Sequence, residues 1–129
     1  MRNANGEAAR TVEAALAAWV AASECHVAEQ GGEIVAYGVL HNHFFHVPFI
    51  DTLIVGARWR RQGIGRDMVR YLAALARPPK LWTSTNLSNQ PMQALLAAEG
   101  FVMSGFIEGL DEGDPELIYR KLLAPLPQD

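Results

Sequence analysis

Six residues, Arg60-Arg61-Gln62-Gly63-Ile64-Gly65, lie between an apolar, strand-like run (FIDTLIVG, residues 49–56) and a segment in which Ile64, Met68, Leu72 and Leu75 recur at helical spacing. The chain must therefore pass from extended backbone into a helix through a basic, glycine-rich turn. Two glycines in three residues let backbone approach a ligand closely. The first N–H groups of a helix have no partner inside it and sit at the positive end of its dipole. Such a turn is an anion site that a phosphate fits, and Arg60, Arg61 and Arg66 add charge around it. The competing reading, a merely solvated charge cluster, puts cations where they oppose the dipole unless an anion offsets them.

Two familiar phosphate motifs are excluded. A Gly-x-x-x-x-Gly-Lys-Ser/Thr run does not occur, and the third glycine of a dinucleotide fingerprint is replaced by Met68. The charge distribution narrows the ligand further. Residues 58–80 hold seven cations against Asp67 alone, whereas residues 1–57 carry net −4 and residues 81–129 net −5. An acidic chain with one concentrated basic segment is a poor general nucleic-acid binder and suits a single small polyanion.

With 129 residues, 50% of them hydrophobic and 19% charged, the chain is expected to form one domain over residues 1–129 with a core of its own. The lone Cys25 offers no internal disulfide, which points to a reducing, cytoplasmic location. No stretch is long and apolar enough to span a bilayer, so no membrane partner is expected. The run Ala14 to Ala22 has acids (Glu7, Glu13) where a secretory signal has basic residues, and reads as part of a first helix.

That helix covers residues 5–22, with Asn5 as cap and Val12, Leu16, Trp19 and Val20 as its stripe. Strands over 25–30 and 33–45 are joined by Gly31-Gly32. The second strand is apolar on both faces and so is expected to be covered on both. A strand over 49–56, a helix over 64–77 stopped by Pro78-Pro79 and a strand over 81–86 follow. Next comes a helix capped by Ser88 or Asn89, with Pro91 in its first turn, Met92, Leu95 and Leu96 inward and Gly100 as its stop. Strands over 101–108 and 116–123 close the chain around an acidic turn, residues 111–115. The β-α-β portion requires part of the sheet to be parallel.

Arg60-x-x-Gly63-x-Gly65 after a strand resembles the pyrophosphate-binding signature of the GNAT superfamily of acetyl-CoA-dependent N-acetyltransferases. Leu53-Ile54-Val55 precedes it at that family's spacing. Asn86-Leu87-Ser88-Asn89, then Ala94 and Gly100-Phe101, resembles its later segment. The likeness spans about residues 33–122. It implies an α+β fold, an α/β/α sandwich with a central twisted mixed β-sheet flanked by helices: the GNAT-like acyl-CoA N-acyltransferase fold.

The resemblance further implies acetyl-CoA as cosubstrate. Backbone groups of Leu53 and Val55 would pair with the pantetheine arm and polarise the thioester, and Ile54 between them counts among the cofactor-binding residues. Arg60, Arg61, Gln62, Gly63, Ile64, Gly65 and Arg66 would hold the diphosphate, and Asn86 and Asn89 would contact the arm. A primary amine, on a small molecule or peptide, would attack directly in a ternary complex. An alkylammonium of pKa ~10.4 is almost wholly protonated at neutral pH, a handicap of roughly 4.6 kcal/mol, so a base is needed. Asp51, the one acid on the strand leading to the loop, is the first candidate, with a substrate-positioning carboxylate as its other reading; His43 and His46 are the backups.

The tyrosine that the family often places four residues before Gly-Phe is replaced here by Leu96. An acyl-CoA-binding regulatory module without turnover is therefore the alternative. His41-x-His43 has zinc-pair geometry, but no cysteine pair or further ligand spacing accompanies it, so no metal is expected; one or two of His41, His43 and His46 are read as lining the acceptor pocket and the remainder as solvated. Phe44, Phe45, Phe49 and Trp82 are read as core rather than pocket wall. One N-terminal helix, where the family often has two, leaves part of the acceptor wall to a possible homodimer.

Overall fold

The structure, a computed structural model, describes residues 24–125. The expected helix over 5–22 lies outside them. The described elements are β1 (Cys25–Gln30), β2 (Glu33–Phe44), β3 (Val47–Val55), α1 (Ile64–Leu75), β4 (Lys80–Asn86), α2 (Gln90–Ala98), β5 (Val102–Ile107) and β6 (Glu116–Leu122). A short 3-10 turn, Ala57–Trp59, precedes the basic loop. The order of elements agrees with the sequence reading, with ends shifted by one or two residues.

These strands form one mixed sheet in the order β1-β2-β3-β4-β6-β5. β1, β2 and β3 form an antiparallel meander whose first turn is Gly31-Gly32, both glycines at positive φ. β3 runs parallel to β4 across the α1 crossover, and β6 inserts antiparallel between β4 and β5. The expected parallel portion is thus the β3-α1-β4 unit.

α1 lays Met68, Val69 and Leu72 onto the sheet beside Ala36, Ile50 and Leu81, and Leu96 of α2, Phe101, Leu117 and Tyr119 complete this core. Gly38 explains how closely the helix approaches: a Cβ there would stand 2.9 Å from Leu72 Cδ1, tighter than real contacts allow. Val35 and Val39, on the opposite phase of β2, are also buried, so that strand is covered on both faces. One reading needs correction: Phe45 is 84% exposed because it occupies the β2–β3 turn at positive φ rather than strand. Ile34, at the end of β2, is exposed as well. Phe44 and Phe49 do stack, with centroids 4.6 Å apart.

Candidate functional site

Strands β3 and β4 part company early. Their parallel register comprises Phe49↔Trp82 and Ile50↔Thr83, yet β3 continues to Val55 and β4 to Asn86. At the last shared rung Thr83 Oγ1 donates to the Ile50 carbonyl at 2.9 Å. Beyond it the sheet opens into a gap. β3 carries a bulge at the same point: Leu40 faces Ile50 and Val39 faces Thr52, leaving Asp51 as the extra residue. A bulge bends its strand and re-aims the side chain at its centre.

The antiparallel phase shows which backbone groups face the gap. Gly56 N–H donates to the Val35 carbonyl at 2.8 Å, so residue 56 turns toward β2, and by alternation so do Ile54 and Thr52. Leu53 and Val55 then present their N–H and C=O groups toward the opening. Arg60 Nε donates to the Val55 carbonyl at 3.2 Å. Leu53 and Val55, the two residues expected to meet an acyl carrier through backbone, have the matching phase, and Ile54 lines the adjoining groove.

Past β3 the chain makes the basic turn. Arg61 and Gly63 both adopt left-handed backbone, at φ 63° and 83°. Asp67 N–H donates to the Gly63 carbonyl as the first rung of α1, which leaves the amides of Ile64, Gly65 and Arg66 without intrahelical partners. The Arg66 guanidinium lies over Gly63, where an added Cβ would meet its Nη2 at 2.9 Å. Gln62 reaches back toward the Arg58 carbonyl at 3.4 Å, and Arg58 stacks on the Trp59 ring at 4.7 Å.

Two adjoining spaces result. A groove of about 700 Å³ runs along Leu53, Val55, Trp59, the turn and α2; among the described residues Arg60, Arg61 and Arg66 line it and no acid does. A smaller cavity of about 170 Å³ fills the gap itself; among the described residues Asp51 and Glu116 line it and no cation does. Leu53, Asn89 and Met92 border both. The site is thus one channel, basic at the helix end and acidic at the sheet end.

The remaining expected residues separate. Asn89 caps α2, its Oδ1 accepting from Met92 N–H at 3.2 Å, and so sits at the junction of the two spaces. Asn86 Nδ2 donates to Asp111 Oδ2 at 2.9 Å and to the Asp114 carbonyl at 3.3 Å. That amide holds the acidic turn in place, and Asp114 in turn accepts from the Ser88 N–H and hydroxyl. His43 is mostly exposed and pairs with Glu24 at 3.3 Å. His46 sits exposed in the β2–β3 turn, its carbonyl accepting from Arg77 at 3.4 Å. Neither histidine lines the cavity; Asp51 does.

Sequence reasoning left two residues out of the proposed machinery. His41, 7% exposed, joins its Nε2 to Asp51 Oδ2 at 2.8 Å. Glu116 reaches the cavity because β6 pairs it with Asn86 at the end of β4. Neither placement had a local signal in the sequence: the first depends on the bulge in β3 and the second on where β6 pairs with β4. Among the described residues no group of three or more His, Cys, Asp or Glu is arranged to hold a metal ion. Nor is any described helix long and apolar enough to cross a membrane.

A mixed sheet that splits beside a glycine-rich basic helix start is an α+β arrangement with a groove at its split. The chain belongs to the GNAT acetyltransferase family, whose sequence profile matches residues 4–101. A GNAT-family acetyltransferase from Bacillus cereus shares 30% identity over 86% of this chain and 78% of its own, with a TM-score of 0.81. The fold is likewise that of a ribosomal-protein-alanine N-acetyltransferase from Brucella melitensis (22% identity, TM-score 0.72, 88% and 78% coverage). It is also that of a Bacillus anthracis acetyltransferase solved with acetyl coenzyme A (19% identity, TM-score 0.70, 78% and 62% coverage). No match is found among curated proteins.

Proposed function

We propose that the protein transfers the acetyl group of acetyl-CoA to a primary amine that is cationic before reaction, by direct attack in a ternary complex. The carrying observation is the polarity of the channel among the described residues: three arginines and no acid at one end, two carboxylates and no cation at the other. A diphosphate fits the first and an ammonium the second.

In this reading the amides of Ile64, Gly65 and Arg66, with Arg60, Arg61 and Arg66, hold the diphosphate. Leu53 and Val55 take the pantetheine arm as an added strand would be taken, and the Val55 N–H stabilises charge developing on the thioester oxygen. Asp51 accepts the proton that the ammonium must lose, and Glu116 helps to hold the cation. Asn89 borders the arm. In this reading Cys25, on β1 and two strands away from β3, forms no acyl intermediate.

A second reading, binding without turnover, is favoured by one observation. Leu96, which stands where relatives often have a tyrosine, is a 2% exposed core residue with no proton to donate. A thiol of pKa ~8.5 leaves without much help, so turnover does not require that proton.

The deciding experiment measures thiol release from acetyl-CoA with pooled primary amines: spermidine, an aminoglycoside, lysine and alanine-terminated peptides. Amine-dependent release that collapses in Asp51→Asn supports transfer. Calorimetric acetyl-CoA binding with no release across the pool supports the second reading.

A further inference from the structure

His41 is the most enclosed titratable group beside the channel, and its surroundings define its hydrogens. The backbone N–H of His43 points at Nδ1 from 3.0 Å. A backbone N–H only donates, so Nδ1 accepts and carries no hydrogen. The ring hydrogen is then on Nε2, which faces Asp51 Oδ2 at 2.8 Å. The contact is a hydrogen bond from a neutral imidazole, not an ion pair. The ring is clamped between His43, with centroids 5.1 Å apart, and Phe49, 5.8 Å apart, both at 27°. Rotation about its χ angles would break both stacks and both hydrogen bonds.

We infer that His41 is a positioning residue for Asp51: it donates to one carboxylate oxygen and leaves the other for the amine. This rests on Asp51 being the base proposed above. The bulge aims Asp51 out of the ladder, where a side chain on an irregular backbone has freedom that costs precision. Occupying Oδ2 removes that freedom. Oδ1, which among the described residues accepts from the Thr52 hydroxyl at 3.5 Å, is the oxygen left for substrate. His41 transfers no proton, because its one unprotonated nitrogen is engaged by backbone.

Two measurements on the full chain test this. The first needs no acceptor: 15N–1H spectra of the histidine side chains at neutral pH. The expected pattern for His41 is a protonated Nε2 and a bare Nδ1; the reverse tautomer, or a doubly protonated ring, overturns the inference. The second compares amine-dependent thiol release in His41→Phe, which keeps the aromatic stack, with His41→Gln, which restores a donor. The expected result is a kcat about tenfold lower in His41→Phe, the worth of one hydrogen bond to a charged group, with KM for acetyl-CoA unchanged and kcat largely restored in His41→Gln. An unimpaired His41→Phe beside a dead Asp51→Asn overturns the positioning role alone. An active Asp51→Asn overturns the base assignment on which it rests.

Discussion

Thr83 Oγ1 donates to the Ile50 carbonyl at the last rung that β3 and β4 share. Thr83 is buried, so this bond closes the apex of the gap without leaving a polar group unsatisfied. Thr83→Val keeps the shape and strands the Ile50 carbonyl. The expected cost is about 1–3 kcal/mol, read as a lower urea midpoint at unchanged slope.

Gly63 holds φ 83° at the start of α1, with the Arg66 guanidinium above it. Gly63→Val adds a branched Cβ to left-handed backbone, at about 1–2 kcal/mol, and displaces that guanidinium. Acetyl-CoA binding by calorimetry is expected to weaken at least about tenfold, more than the fall in stability alone accounts for, because the phosphate-facing amides move with the turn.

Arg60 has two jobs in the proposed complex: its Nε holds the Val55 carbonyl, and its charge faces the groove. Arg60→Ala is expected to raise the acetyl-CoA dissociation constant about tenfold. Thermal stability should shift little, since the side chain is exposed. The wild-type affinity should also fall more steeply with added salt than that of the variant, a difference that titrations at two ionic strengths will show.

Arg70 on α1 grips Glu99, the residue ending α2, through Nε at 2.6 Å and Nη2 at 3.2 Å. Hydrogen bonding to Arg70, against the opposing effect of burial, holds the Glu99 carboxyl below its usual range. A carboxyl with a depressed folded-state value stabilises the protein above its unfolded value, near ~4.3, and loses that contribution as pH falls through the folded value. Arg70→Met is therefore expected to be less stable than wild type at neutral pH, and the gap is expected to close on acidification below pH ~4. Urea midpoints of both proteins across that range check the sign.

Local chemistry made much of this legible from the residues alone. Gly31-Gly32, Pro78-Pro79 and Asn89 each mark an end by a backbone rule, and all three ends lie within a residue or two of the expected place. The anion turn was readable because glycine spacing and arginine density lie in one short segment. What escaped depends on pairing between distant segments. Whether His41 meets Asp51 depends on a one-residue bulge, and a bulge changes register without a signature in either strand. Asn86 does border the cavity, but the engagement of its amide nitrogen depends on an acidic turn 25 residues later. Phe45 looked like core because hydrophobicity carries no record of backbone handedness.

Because β3 and β4 share so short a ladder, the sheet consists of two leaves, β1-β2-β3 and β4-β6-β5, meeting at a narrow spine. An occupant that hydrogen-bonds to Leu53 and Val55 adds cross-links where the leaves stand apart. In the proposed complex the loaded form is expected to resist parting more than the empty form, which is expected to yield first along the seam between β3 and β4.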